Sequence, residues 1–298
     1  MGDVLAGNHA DWEFEPDSVL IRFTRGNRGT PKLFQVLGER RVPFEALESV
    51  TLSPGKRGTV VLRAVPRPGA DPLMDAAAGQ LPDNCDPYRL VLPGDRELIA
   101  EYYADQLRAL LPGPNDGTGP AASASAAYLV PSVEAPLQFK AYDGKASFDG
   151  EKVTFRWSWT GASSAKWKAG DQTFAVSELT GVEWRSPDVF DGYLRLLRRP
   201  GDPALDGIPP GSQPAQADKD PAAVVFGLGY GPVHESLPFA AAVLEAIRGT
   251  SSAMAPVPSA HDPAGVAERI RHLGELHSAG LVTDEEFRAK KADLLAEL

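Results

Sequence analysis

Apolar and polar positions alternate in short segments along this chain, and the same series of segments occurs twice. In residues 148–157 an aromatic residue precedes an Asp-Gly turn, and apolar positions then alternate with polar ones up to an Arg-Trp pair. Residues 14–23 have the same layout 134 positions earlier and end in Arg-Phe. Alternation with a period of two is typical of a strand with one buried face. The pattern predicts one β-rich module that was built twice.

Other landmarks support the duplication. The pairs Asp86-Pro87 and Asp220-Pro221 lie 134 residues apart, and segments 42–50 and 174–182 match at an offset of 132. Their order along the chain is unchanged, and small insertions between strands account for the change in offset. We therefore expect the same strand order in both copies.

Within the second copy the periodicity predicts strands near 137–142, 146–149, 152–159, 165–168, 172–177, 180–186, 192–198 and 222–228. Apolar residues then recur at helical spacing over about 235–248, as they do at the end of the first copy over about 95–111. A meander of short strands followed by one amphipathic helix predicts an α+β, mainly β protein. We expect two tandem small barrels, each capped by its C-terminal helix.

The predicted organisation has five parts. They are a first module over 1–112, a flexible linker over 113–135, a second module over 136–250, a linker over 251–262 and a helical hairpin over 263–298. Both linkers are rich in residues typical of a flexible tether. The Pro/Gly-rich excursions at 66–87 and 200–221 are interpreted as disordered decoration, with functional loops as the alternative.

The C-terminal hairpin carries helix start signals. Asp262-Pro263 is a cap and first-position proline pair, and Thr283 with Glu286 forms a capping box for a second helix. Two short helices bury too little surface to be stable alone. We expect them to bind a protein partner or to self-associate. The predicted contact residues are Ile270, Leu273, Leu276, Phe287, Leu294 and Leu295.

Two stretches resemble known families. The motifs Phe148-Asp149-Gly150, Leu179-Thr180-Gly181-Val182-Glu183-Trp184 and Asp220-Pro221 resemble the actinobacterial family known as DUF 4429, over most of residues 8–248. The first copy is more degenerate, because Glu15-Pro16 replaces Asp-Gly. This resemblance implies tandem modules similar to pleckstrin-homology domains. Residues 265–298 are similar to the SHOCT short C-terminal domain, which implies an interaction or oligomerisation element. Neither resemblance brings a catalytic residue.

Composition narrows the function. The formal net charge is −10 and no module is basic overall, which argues against nucleic-acid binding. The N-terminus lacks the pattern of a signal peptide, and no apolar run approaches the length needed to span a bilayer. Cys85 is the only cysteine, so no disulfide or thiolate metal cluster is expected. We expect a cytoplasmic, non-enzymatic binding or scaffold protein that uses no cofactor and no metal.

A second function stays open at this point. Four basic residues follow the first copy's early strands: Arg22, Arg25, Arg28 and Lys32. The corresponding loop of lipid-binding pleckstrin-homology domains collects basic residues, and guanidinium groups suit phosphate. The alternative function is therefore a peripheral membrane module that binds anionic headgroups through this loop.

Strand alternation predicts where three tryptophans of the second copy point. Trp157 and Trp159 share one face of the predicted strand, and Trp167 alternates with Lys166 and Lys168. We expect all three to be core residues. If that face points outward instead, Trp157 and Trp159 would form a patch suited to a protein partner.

Overall fold

The computed structural model describes residues 3–24, 29–111, 127–189, 191–199 and 216–254, together with positions 271, 283, 287 and 290. The chain forms two compact units, Met1–Ser252 and Ala253–Leu298. Both repeats lie in the first unit. In the second, positions 271, 287 and 290 are helical, and the Phe287 N–H donates to the Thr283 carbonyl at 2.9 Å.

The first repeat contains two antiparallel sheets. The four-stranded sheet has β1 (Asp3–Ala6), β2 (Ala10–Phe14), β3 (Ser18–Phe23) and β4 (Glu39–Pro43), with α1 (Lys32–Leu37) between the last two. The three-stranded sheet has β5 (Leu47–Pro54), β6 (Thr59–Pro66) and β7 (Arg89–Pro93), with α2 (Pro72–Ala77) between the last two. The repeat ends in α3 (Glu97–Leu110).

The second repeat has the same strand order. Its four-stranded sheet has β8 (Leu137–Lys140), β9 (Gly144–Phe148), β10 (Lys152–Trp157) and β11 (Gln172–Ala175), with α4 (Ser164–Ala169) before β11. Its three-stranded sheet has β12 (Leu179–Arg185), β13 (Tyr193–Arg198) and β14 (Ala223–Val225). The helix α5 (Val233–Met254) follows. The prediction of a duplicated strand order is confirmed.

Matched hydrogen bonds join the two sheets of each repeat. The Asn8 N–H donates to the Val91 carbonyl at 2.9 Å, and 134 residues later the Tyr142 N–H donates to the Val225 carbonyl at 3.0 Å. In both repeats the turn after the first strand is thereby tied to the last strand. The duplicated sequence thus specifies matching backbone contacts as well as strand order.

The repeated Asp-Pro landmark has a structural cause. Asp86 accepts from the Tyr88 N–H at 2.9 Å and forms an ion pair with Arg63 at 3.0 Å. Asp220 likewise accepts from the Ala222 N–H at 2.8 Å and pairs with Arg195 at 3.0 Å. In each copy one carboxylate closes the turn before the last strand and holds an arginine of the neighbouring strand.

The fold class is confirmed at the level of an α+β, mainly β protein, but the expected barrels are not found. Within the described residues the four sheets are separate, and none closes on itself. The helices predicted over 95–111 and 235–248 correspond to α3 and α5. The apolar side of α3 lies in the first repeat's core, where Ala100, Tyr103 and Leu107 are buried.

The excursion at 66–87 contains an ordered helix, which corrects its interpretation as disordered decoration. Asp71 caps α2 by accepting from the Leu73 N–H at 2.9 Å, and Pro72 occupies the first turn. Leu73, Ala76 and Ala77 are buried in the same cluster as the second repeat's core. The apolar side of a two-turn helix therefore joins the repeats. Residues 200–215 of the other excursion lie outside the described residues.

Polar contacts complete this junction between the repeats. The Gln80 side-chain amide donates to the Trp184 carbonyl at 2.9 Å and accepts from the Ser186 N–H at 3.0 Å. One side chain therefore satisfies two backbone groups at the end of β12. Because hydrogen bonds are directional, these contacts fix the position of the end of β12 more closely than the apolar contact of α2 alone.

Part of the predicted linker over 113–135 is packed. Val130 is buried in the first repeat's core, and its N–H donates to the Ala70 carbonyl at 3.1 Å. The Ser132 N–H donates at 3.0 Å to Glu245 of α5. Residues 127–135 therefore connect the repeats through contacts as well as through the chain. Residues 113–126 lie outside the described residues.

Candidate binding surface

A cleft of about 750 Å³ lies between the repeats. The first repeat contributes Lys32, Leu33 and Cys85 to its walls, and the second contributes Asp188 and His234 among others. The glycine-containing turn before α5 forms the rim. Its Leu228 side chain is fully exposed.

The titratable groups of the cleft are poorly suited to nucleophilic catalysis. Burial, followed by the nearby Asp188 carboxylate, raises the pKa of the Cys85 thiol. Because the thiolate is the reactive form, this shift disfavours the reactive state of the thiol. Burial also lowers the pKa of His234, against the opposing effect of Glu235.

Exposed aromatic side chains gather at one end of the second repeat. Trp159 is 81% exposed and packs edge-to-face on Trp167, which is 46% exposed, with ring centroids 5.5 Å apart. Tyr142 and Tyr230 form a second such pair at 6.4 Å, and both are exposed. We call these four side chains and Leu228 the aromatic surface.

The aromatic surface is attached to one turn between β8 and β9. The Ser158 N–H donates to the Asp143 carbonyl at 2.8 Å, and Gly161 lies against the Tyr142 carbonyl, where a Cβ atom would come within 2.1 Å. Gly227 lies against the Tyr142 side chain. The turn residues Tyr142 and Asp143 thus contact both the segment that carries Trp159 and the segment that carries Leu228.

A buried ion pair fixes α4 to this turn. The Lys166 ammonium, whose side chain is 0% exposed, donates to Asp143 and also to the Ala223 carbonyl at 2.8 Å. Asp143 also accepts from the Val225 N–H at 3.0 Å. Burial raises the pKa of Asp143 and lowers that of Lys166, and each charge partly offsets the shift of the other. With Lys166 turned inward, the neighbouring Trp167 faces solvent.

The prediction that all three tryptophans are core residues is therefore right for Trp157 and wrong for the other two. Trp157 is buried, and its indole N–H donates to the Gly170 carbonyl at 2.7 Å. The strand β10 ends at this residue, so its alternation does not extend to Trp159. Trp167 lies on the helix α4 and not on the predicted strand. As a result Lys166 is buried and Trp167 is exposed, the reverse of the prediction.

The predicted basic loop is only partly described. Arg22 forms ion pairs with Glu13 and with Glu39, the latter at 3.8 Å. Lys32 is exposed and lines the cleft between the repeats. Arg25 and Arg28 lie outside the described residues. The structure thus places Arg22 beside two carboxylates, and binding of anionic headgroups by this loop stays a prediction.

Of the predicted C-terminal contact residues, only Phe287 is described, and it is half-buried and helical. Ile270, Leu273, Leu276, Leu294 and Leu295 lie outside the described residues. The interaction face of this tail stays a prediction.

Across the described ranges, no group of three or more metal-ligating side chains is found. The same part of the chain contains no helix with the length and apolar character needed to cross a membrane.

Family models match three regions of the chain. A domain of unknown function, DUF4429, matches residues 12–108 and again 146–244, and the short C-terminal domain SHOCT matches residues 268–295. None of the curated proteins matches the chain. The two DUF4429 regions coincide with the two repeats and together cover about two thirds of the sequence, so the chain belongs to the DUF4429 family.

Proposed function

We propose that this chain is a non-enzymatic cytoplasmic scaffold protein that binds a protein partner through the second repeat. In this proposal the repeats are modules similar to pleckstrin-homology domains, with α3 and α5 as their capping helices. The C-terminal SHOCT region recruits a partner or self-associates. Tethering two binding elements on one chain raises avidity without any new chemistry.

The observation that carries the proposal is the aromatic surface. Large aromatic side chains are normally buried, and a group of them facing solvent is typical of a protein interaction site. Trp and Tyr are also enriched among the residues that contribute most to binding energy. The raised pKa of the half-buried Cys85 thiol supports a binding role over nucleophilic catalysis.

The repeat provides an internal comparison. The first repeat has Asn8 where the second has Tyr142, and Gln35 where it has Trp167. The same backbone framework therefore forms without aromatic residues at these positions. Their presence in one copy only is better explained by binding than by folding.

The test is affinity capture from the native cytoplasm with the full chain, the double variant Trp159→Ala/Trp167→Gln and the control Tyr102→Ala. Tyr102 is an exposed aromatic residue of α3, in the other repeat. We expect the double variant to weaken capture of a saturable partner by about 100-fold, since each interface anchor contributes about 1–2 kcal/mol. Equal capture by the double variant and the full chain would rule out the aromatic surface as the binding site.

A further inference from the structure

Three exposed cations lie side by side on the outer face of the sheet formed by β8–β11. Lys140 pairs with Lys145 across β8 and β9, and Lys145 pairs with Arg156 across β9 and β10. Directly opposed residues of antiparallel strands project to the same face, with Cβ atoms about 5 Å apart. All three side chains are exposed. We call them the cation row.

One carboxylate lies near the cation row: Asp171 comes opposite Arg156 in the register of β10 and β11, and it accepts from the Trp157 N–H at 3.3 Å. Among the residues that the structure describes, none forms an ion pair with any of its three members. Like charges placed directly opposite each other destabilise a sheet. The arrangement therefore opposes folding, and its presence in a chain of net charge −10 points to another use.

The first repeat shows that the fold does not require the cation row. The matched positions, 134 residues earlier, are Ala6, Asp11 and Arg22, and they pair with one another in the same register. There the single cation, Arg22, is neutralised by Glu13 and Glu39. In the first copy the one cation of this row is paired with carboxylates, whereas in the second copy three cations lie side by side without an ion pair among the described residues.

The cation row adjoins the aromatic surface. The Gly231 N–H, next to Tyr230, donates to the Lys140 carbonyl at 2.7 Å. Lys145 is the second residue of β9, directly after the turn that holds Tyr142, and Arg156 lies three residues before Trp159. Positive charge and exposed aromatic rings thus meet at the same end of the second repeat.

A row of polar, uncharged residues lies next to the cation row on this sheet face. Gln138, Ser147, Thr154 and Thr173 form the adjacent cross-strand row. Three of them line a shallow groove of about 280 Å³. Such side chains can donate to and accept from the backbone of a bound segment.

We propose that the cation row and the aromatic surface together bind an acidic segment of a partner protein, an inference that rests on the proposed function. Charge complementarity requires that the bound segment be negatively charged. Trp, Tyr and Arg are the residue types enriched at the centre of protein interfaces. Nucleic acid is disfavoured because its affinity comes mainly from neutralising many phosphates. An anionic membrane is disfavoured because segments that bind anionic lipids typically cluster about four to eight cations, and the row has three.

The test is selection of a random peptide library displayed on phage against the full chain at low salt. Enriched peptides are then measured by fluorescence anisotropy against wild type and against Lys140→Ala/Lys145→Asp. This variant has the first repeat's own residues at matched positions, so we expect it to fold. The control Lys56→Asp/Arg57→Ala makes the same change in net charge at exposed cations of the first repeat.

We expect enriched peptides to be more acidic than the library and to bind the row variant about 10-fold more weakly, since each exposed charge pair contributes a factor of about 1.5 to 5. Binding to the control should stay within about twofold, and salt should weaken binding to wild type. Neutral or basic enriched peptides, no enrichment, or equal binding to the row variant would overturn the inference.

Two further arms separate the other anionic partners and the two proposals. One arm measures sedimentation with phosphatidylserine vesicles and the gel shift of a single-stranded oligonucleotide. If either depends on the cation row while no acidic peptide binds, the inference is overturned in favour of that anion. If neutral peptides bind and Trp159→Ala/Trp167→Gln abolishes their binding, the proposed function stands and only the acidic partner is wrong. If no peptide of any charge binds, both fail.

Discussion

Single residues explain why two copies of one module present different surfaces. Phe34, buried in the first repeat, corresponds to Lys166 in the second, and His9 corresponds to Asp143. The short helix before the fourth strand is therefore held by a buried apolar side chain in the first copy and by a buried ion pair in the second. The Lys166 ammonium also lies 4.9 Å from the centre of the Trp157 ring. This single anchor determines that Trp167 faces outward.

The buried pair can be tested by removing one partner and then both. We expect Lys166→Met to lower the free energy of unfolding by about 3–5 kcal/mol, because Asp143 is left charged and buried. The double variant Asp143→Asn/Lys166→Met should recover most of this loss, since no uncompensated charge remains. Chemical denaturation of the three proteins measures both values. A double variant no more stable than Lys166→Met would contradict the argument.

The same variant has a predicted pH dependence. Burial already raises the pKa of Asp143 above 3.8, and loss of the lysine raises it further. A carboxyl with a raised folded-state pKa stabilises the protein fully below its unfolded value, and this contribution is lost as pH rises through the folded value. The destabilisation of Lys166→Met should therefore shrink as pH falls from neutral toward 4.

At the scale of elements, the strand pattern was readable and the short helices were not. Period-two alternation indicated most of the strands within a few residues, and the 134-residue offset predicted the matching connectivity. The helix α4 has only six residues, too few to show a helical period, and its Lys-Trp-Lys run imitates a strand. Burial of Lys166 could not be foreseen, because its partner Asp143 is 23 residues away.

The helix α2 was missed for a different reason. Asp71-Pro72 is the same cap signal that indicated a helix at Asp262-Pro263, but it lies in a segment rich in proline and glycine. Its apolar residues complete the core of the other repeat, and only tertiary structure shows this. Asp71 also binds Arg40 at 2.7 Å and the Tyr88 hydroxyl at 2.7 Å, all three being buried.

The role of α2 as the link between repeats gives a prediction. We expect Asp71→Ala to lower the free energy of unfolding by about 3–5 kcal/mol, since it removes the helix cap and leaves the Arg40 guanidinium buried without a carboxylate. Asp95→Ala, at an exposed carboxyl in the turn before α3, should change it by less than about 0.5 kcal/mol.

Hydrogen exchange tests whether the effect crosses between repeats. In Asp71→Ala we expect faster exchange in β12 of the second repeat, because Gln80 no longer holds the Trp184 carbonyl and the Ser186 N–H in place. Faster exchange confined to the first repeat would show that α2 belongs to that repeat alone.

At the scale of the whole molecule, the two copies share one framework but differ in the surfaces that they expose. Both repeats have the same sheets and the same Asp-Arg pairs behind the last strand, so each copy keeps the framework. The cation row and the aromatic surface both lie on the second copy. The first copy contributes the helix α2 and the packed segment 127–135, which fix its position against α5. A protein with one supporting and one binding module fits these differences better than a pair of equivalent binding sites.

The tail supplies the last prediction. If the SHOCT region self-associates through its apolar face, deletion of residues 263–298 should lower the molecular mass measured by light scattering to that of a single chain. Near-ultraviolet circular dichroism should stay unchanged, because Met1–Ser252 is a compact unit with its own core. Phe287→Ser should act in the same direction as the deletion, since it removes an apolar contact. Lys290→Ala, three residues away at an exposed position, should leave the mass unchanged. If the deleted and full-length chains have the same number of subunits per particle, self-association is excluded and the tail's remaining proposed role is recruitment of another protein.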